Sequence, residues 1–330
     1  MRAFQAVSRG CSRRLGPHES WRSRRWRSGR TPSKGSAAVG SEAEQYMERL
    51  SMSDLDVDPE VYEDIERLKL GRRRKHYNLK ASTMRRRQAC RSTHLTMMHD
   101  EHASPPQLPH ELPEVVLAGR ANVGKSSLMN ALCGVVPKDG AASISPKPGW
   151  TKSIGFYELV EWTSEEPMMI LVDLPGYGPT VSAGAAHGGM RQGRANWSRL
   201  TKRYLTGRDE LVAAFVLVES ALGLQADDHV FMERLERLEV PFSVIMTKAD
   251  QLEPEQLARS NMLVRQELRE RHRSYANEAH FVPMCSAKNC TGILELWERL
   301  KIGVGIGRFD ADAANGDNDE LATSATLEPR

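Results

Sequence analysis

The sequence predicts an α/β fold: a six-stranded, mostly parallel sheet with helices on both faces, preceded by a flexible N-terminal extension. Two observations carry that expectation. From Pro113 onward, short apolar runs alternate with amphipathic stretches, and continuous apolar strands separated by helices mark a parallel sheet covered on both sides. Ahead of Pro113 the chain is polar and Arg-rich and has no comparable run. With 330 residues, 40% of them apolar and 27% charged, the composition is that of an ordinary globular chain. No run of about 18 apolar residues exists to span a bilayer.

Charge divides the chain more clearly than its net value of +3 suggests. Residues 1–40 carry about ten Lys/Arg against one acid, Glu19. This Arg- and Ser-rich composition matches an organelle transit peptide, mitochondrial rather than plastid because arginine dominates. A disordered basic tail touching RNA is the alternative. Residues 41–111 form an extension expected to be partly helical and basic. Residues 41–70 read as helical, with Ser53 or Asp58 as candidate caps. Residues 71–91 hold two arginine clusters around Tyr77, which suits an RNA backbone contact or a solvated linker equally. His94, His99 and His102 follow in a polar stretch without partnered cysteines, a poor setting for a metal. Cys11, Cys90, Cys133, Cys285 and Cys290 form no CxxC pair and read as scattered structural thiols of a reduced compartment.

The domain proper is expected over 112–303. Its strand candidates are EVVLAG, GFYELVEW, MMILVDL, AAFVLVE, FSVIMT and HFVPM. A helix starts at Lys125, and further helices are expected at about 195–206, 227–238, 254–273 and 291–303. The acidic tail, 304–330, is rich in Gly, Asp and Ala and should be disordered.

Directly after EVVLA comes Gly119-Arg120-Ala121-Asn122-Val123-Gly124-Lys125-Ser126, an unbroken GxxxxGKS followed by Ser127. Glycines let such a loop wrap closely, so its backbone N–H groups and the next helix N-terminus face phosphate oxygens. Lys125 is expected to reach the β- and γ-phosphates, and the Ser126 hydroxyl to ligate Mg²⁺. The base needs separate evidence. Thr247-Lys248-Ala249-Asp250 follows a buried strand at the edge where open α/β sheets bind ligands. A carboxylate there can accept from both N1–H and the 2-amino group of guanine, and adenine offers no such pair. Cys285-Ser286-Ala287 ends another apolar run and would present backbone N–H groups to guanine O6. Asp173-Leu174-Pro175-Gly176 ends MMILV, with Asp173 on Mg²⁺ through water and the Gly176 N–H sensing the γ-phosphate. Gly149-Trp150-Thr151 lies between, and Thr151 is the candidate for the second hydroxyl on Mg²⁺. The reading is a P-loop GTPase fold holding GTP or GDP with Mg²⁺ on Ser126, Thr151 and Asp173.

Residues 112–303 resemble the EngB (YihA) family within the Era-like GTPases. The residues that carry this are LPEVVLAGRANVGKSSLMNAL, PGWTKSIGFYEL, VDLPGYG, TKAD and CSAK, with a looser match at Trp197, Tyr204, Leu205, Arg208 and Leu211. The resemblance implies a monomeric switch that assists assembly of the large ribosomal subunit, here of an organelle, on the subunit or its rRNA precursor. Bacterial members are also linked to septation. Two departures stand out: a Pro- and Gly-rich PTVSAGAAHGG after DLPGYG, and Glu219-Ser220-Ala221 where the family tends to have Asp-x-Arg.

The hydrolytic machinery is incomplete by this reading. Many GTPases orient water with a glutamine after DxxG, and here Tyr177 stands in its place, so slow turnover is expected. Catalysis would then rest on Lys125, Thr151 and Asn122. Asn122 resembles the K⁺ ligand of potassium-activated GTPases, and an asparagine bonded within its own loop explains it as well. Arg120, Arg191 and Arg194 are weaker candidates for an internal arginine finger. A GTP-holding RNA scaffold with little turnover is the competing function; a tRNA-modification GTPase is weaker, since no cofactor domain accompanies it.

Overall fold

The computed structural model of the chain describes residues 37–52, 57–71, 90–99, 105–108, 111–133, 153–161, 166–178, 199–275 and 282–305. Six strands form one sheet in the order β1-β3-β4-β2-β5-β6. They are β1 Cys90–Met98, β2 Glu114–Gly119, β3 Ile154–Glu161, β4 Pro167–Asp173, β5 Leu211–Glu219 and β6 Phe242–Thr247. β4, β2, β5 and β6 run parallel, whereas β3 pairs antiparallel with β4 and β1 antiparallel with β3. The helices are α1 Ala37–Met52, α2 Pro59–Arg67, α3 Lys125–Leu132, α4 Ala226–Arg237, α5 Pro254–Arg271 and α6 Ile293–Gly303. Residues 199–206 are also helical.

Alternation along the strands divides the core in two. Val116, Ala118, Ile170, Val172, Ala214, Val216 and Met246 face one side with α2, 199–206, α4 and α5. Val115, Leu117, Leu171, Ala213, Phe215, Leu217 and Ile245 face the other with α3 and α6. Every residue of β2 is buried, as a central strand covered on both faces must be. Local chemistry starts the helices where it should. Asp58 caps α2 by accepting from Glu60 N ahead of Pro59, and α5 begins with a Glu253/Gln256 capping box and Pro254 at its first turn.

The sixth strand is not the one expected. Of HFVPM the described residues are Val282, Pro283 and Met284, and among them the contribution is an isolated bridge, Met246 to Met284, with Met246 N donating to Pro283 O at 2.8 Å. Proline has no N–H to continue a ladder. β1 takes the sixth place from within the extension. It is an edge strand whose fully buried residues are only Cys90 and Met98, so its polar sequence gave no apolar alternation to read.

The described part of the extension packs on the domain. Val61, Ile65 and Leu70 join the main core, and Tyr46 and Leu50 pack on Leu263. Its ion pairs reach forward in the chain: Arg49–Glu267 at 2.7 Å, Arg265–Asp58 at 3.0 Å and Arg67–Glu295 at 3.7 Å. The helical reading of 41–70 corresponds to two helices, α1 and α2, and of the two candidate caps Asp58 is the one that caps α2 while Ser53 lies outside the described residues. Residues 1–36, the arginine clusters and Tyr77 of 72–89, and the tail from 306 lie outside the described residues.

Candidate functional site

All four parallel strands point their carboxyl ends to one edge, and the motifs converge there. The loop after β2 is clamped to the segment after β4 by a bridge between Arg120 and Tyr177. Ala121 N donates to Tyr177 O at 3.0 Å and Tyr177 N to Gly119 O at 3.3 Å. Asn122 adopts φ +65° and Gly124 φ +113°, which curls the loop back over α3. Being first-turn residues of α3, Lys125, Ser126 and Ser127 have N–H groups with no partner inside the helix. Gly176 approaches so closely that a Cβ would lie 3.0 Å from Ala121 N and 3.2 Å from Lys125 Nζ. Any side chain at this position would crowd the backbone of the loop.

Charge at this edge is arranged for ligands the protein itself does not supply. Lys125 Nζ donates to the Gly119 carbonyl at 3.1 Å, a loop-closing contact that a phosphate would replace. Burial lowers the Lys125 pKa, and Asp173 opposes that shift. Burial pushes the Asp173 carboxyl up to about 6, with Lys125 opposing. Asp173 Oδ1 is buried and has no hydrogen-bond partner. A buried carboxylate oxygen left open at the end of β4, with a serine hydroxyl in the first turn of α3 on the same sheet edge, is a donor set that fits a hard divalent cation such as Mg²⁺.

The base loops are tied together at the far side. Thr247 Oγ1 donates to Val123 O at 2.7 Å, joining the end of β6 to the phosphate loop. Lys248 takes a left-handed φ of +54°, and its Nζ pairs with Glu219 Oε2 at 2.6 Å. Ala249 N donates to Cys285 O at 3.1 Å. Ser286 Oγ donates to Asp250 Oδ1 at 2.6 Å, and Lys288 Nζ stands 3.6 Å from Oδ2. Asp250 is therefore held as an oriented acceptor. Cys285 N and Ser286 N are consumed by Met246 O and Thr291 O, at 2.8 and 2.9 Å. That leaves Ala287 as the expected O6 donor among the three. Burial, with Asp250 nearby, raises the Cys285 thiol to about 12, so it stays neutral.

Tyr177 is turned onto α4. Its ring stacks on Phe231 with centroids 5.0 Å apart, and its Oη donates to Asp228 Oδ1 at 2.8 Å. Asp228 in turn accepts from Gln225 N at 2.9 Å in the capping box of α4. Arg120 lies near this group rather than over the loop: its Nε is 3.6 Å from where a Gly178 Cβ would be, and its charge acts on Asp228. The Asn122 side chain makes no hydrogen bond among the described residues, so the loop-bonding explanation of Asn122 finds no contact; its left-handed backbone is itself a reason for asparagine. Gly149, Trp150, Thr151, Arg191, Arg194 and Trp197 lie outside the described residues. His94 packs its ring against Tyr157 at 5.2 Å, and no metal-holding cluster exists among the described residues.

Reading by sequence alone missed Glu219, Ser220 and Asp228. In the sequence Glu219-Ser220-Ala221 stands only as a departure from the family pattern; its position at the end of the strand before TKAD is the available signal.

A family model described as a 50S ribosome-binding GTPase matches residues 114–248. A probable GTP-binding protein EngB of Chlorobium phaeobacteroides (strain BS1) is 33% identical over 200 residues, covering 60% of this chain and 91% of that protein. The chain belongs to the EngB family of GTP-binding proteins. Another EngB relative, from Ruegeria sp. (strain TM1040), is 40% identical over 151 residues, covering 46% of this chain and 62% of that protein. Against that relative the chain spans less than two thirds of the partner's length. A crystal structure of a probable GTP-binding protein engB aligns at 21% identity and a TM-score of 0.43, covering 58% of this chain and 98% of that one. As an EngB-family member, the chain places a glutamate, Glu219, against the lysine of its base motif.

Proposed function

We propose that this chain is a Mg²⁺-dependent guanine-nucleotide switch that hydrolyses GTP slowly and acts on the large ribosomal subunit of an organelle, the mitochondrion. The observation that carries the nucleotide reading is Asp250, held by Ser286 at 2.6 Å on the same sheet edge as the open Asp173 carboxylate. Asp250 selects guanine by accepting two hydrogen bonds. Lys125 and the first-turn N–H groups of α3 bind and orient the phosphates. Ser126 and Asp173 would hold Mg²⁺, with Thr151 as the third ligand; the ion supplies charge neutralisation at the β- and γ-phosphate oxygens.

Slow turnover follows from Tyr177. Locked on Asp228 and Phe231, it offers nothing to align an attacking water. K⁺ beside Asn122 is the proposed source of further charge stabilisation. The ribosomal reading is supported by the family description, which names 50S binding. A monomer docking through basic surface onto rRNA is the form it takes. A scaffold that holds GTP with little turnover is the second reading, favoured by the same buried Tyr177.

Single-turnover GTP hydrolysis, measured with and without large subunits and in K⁺ against Na⁺ at equal ionic strength, tests this. The switch reading expects stimulation by the subunit and co-sedimentation with a large-subunit precursor in the GTP state alone. Binding that ignores the nucleotide, with no stimulated hydrolysis, would leave the scaffold.

A further inference from the structure

We propose that the N-terminal helix α1 is a positioning element of the guanine site, with Tyr46 transmitting its docking to the base loop. The proposal rests on the guanine-nucleotide reading above. Tyr46 is 4% exposed and its Oη lies 2.9 Å from Ser260 Oγ of α5. Ser260 Oγ donates to the Ser220 carbonyl at 2.7 Å. A serine hydroxyl has one proton to give, so Tyr46 is the donor in the first contact. Burial raises its pKa to about 12, which keeps that proton in place.

The chain of bonds continues into the nucleotide site. Ser220 N and Ser220 Oγ both donate to the Thr247 carbonyl, at 3.0 and 2.7 Å. Thr247 opens the TKAD motif, and its own hydroxyl donates to Val123 O of the phosphate loop at 2.7 Å. Glu219, next to Ser220, holds Lys248. Five elements are thus joined by buried bonds that run from α1 to both halves of the site. Ser220 and Ser260 are fully buried, so water does not compete for any link.

The seat for Tyr46 is built by backbone shape. Gly223 has φ +61°, and a Cβ on it would lie 2.6 Å from Tyr46 Oη. The glycine opens the space the ring occupies. Arg49–Glu267 at 2.7 Å and the donation from Arg259 Nη1 to Leu50 O at 3.4 Å fix the helix on α5 around it. Farther along, the turn after α2 abuts the start of α5, since a Cβ on Gly71 would lie 2.9 Å from Pro254 N. The extension therefore grips α5 at both ends, four residues after Asp250 and again at Glu267. Losing the Tyr46 bond leaves Ser260 and Ser220 free to shift, and Thr247 and Lys248 with them.

The test uses the full chain and the release of a fluorescent GDP followed by stopped flow, together with the preference for GDP over IDP, which lacks the 2-amino group. Tyr46→Phe keeps the ring and removes the donor. It should release GDP about three- to tenfold faster, the size of one hydrogen bond, and should lose part of its GDP-over-IDP preference well below its unfolding temperature. Tyr46→Ala and Gly223→Ala should do the same or more. Unchanged release and unchanged preference in both Tyr46 variants, even with a lowered Tm, would reduce α1 to a brace and overturn the proposal. A wild-type chain that does not prefer GDP over ADP would remove the guanine reading itself, and this proposal with it.

Discussion

Asp250 carries base choice, and its neighbours show how a single carboxylate is made selective. Ser286 occupies part of Oδ1 and Lys288 approaches Oδ2, so the group is aimed before any base arrives. Asp250→Asn would exchange an acceptor pair for a mixed donor and acceptor. GTP affinity should fall by about 2–5 kcal/mol with preference moving toward xanthosine nucleotides, read by competition binding. Unchanged GTP affinity would contradict the guanine assignment. Asp228 gives a second residue-level expectation. Burial raises its carboxyl to about 6 despite the bonds from Gln225 and Tyr177. The folded state then holds a proton that the unfolded state releases near 3.9, so the Asp228 contribution to stability falls as pH rises from about 4 to about 6. Asp228→Asn keeps an acceptor without the charge. Relative to wild type, its stability should rise by ~2 kcal/mol between pH 4 and pH 7 in urea unfolding of the nucleotide-free protein.

At the scale of elements, one buried cluster fixes the helix at 199–206 and the turn after it. Arg208 Nε and Nη2 both donate to Glu114 Oε1, Tyr204 Oη donates to Oε2 at 2.8 Å, and Arg208 Nη1 donates to Pro106 O at 2.9 Å. Glu114 is fully buried at the start of β2. The helix 199–206, the strand that leads to the phosphate loop and the chain at Pro106 therefore meet on one carboxylate. Tyr204 and Arg208 were visible in the sequence only as parts of a family resemblance; the pairing with Glu114, ninety-four residues from Arg208, was not. Arg208→Ala leaves a buried charge unpaired and should cost about 3–5 kcal/mol in unfolding free energy. Adding Glu114→Gln should recover part of that loss, whereas equal stability of wild type and Arg208→Ala would show the cluster to be idle.

For the whole molecule, the informative contrast is between the extension from residue 37 and the basic segment before it. The former is bound to the domain through α1, α2 and β1, while the latter contributes only to the targeting proposal. Removing residues 1–36 takes away most of the positive charge of the N-terminal segment and none of the described contacts. Nucleotide binding and Tm should stay at wild-type values, and import into the organelle should be lost in cells expressing a tagged chain. Import that survives the deletion would refute the presequence reading.

The parallel strands, their helices and the sheet-edge motifs were legible in the sequence because each is a local signal. A strand buried on both faces must be apolar throughout, as EVVLAG is, and a loop that takes phosphate needs glycine at fixed intervals. Asp250, Asp173 and Lys125 could be named for the same reason. What only the tertiary structure decided involves partners far apart in the chain. β1 is a strand because β3 offers it an edge, not because its polar residues demand one. Glu219 holds Lys248, Tyr177 is turned onto Asp228, and Tyr46 is seated at Gly223, contacts that no spacing along the sequence encodes. Long-range pairs form when separately stable elements pack, so their identities depend on the geometry of the assembled sheet.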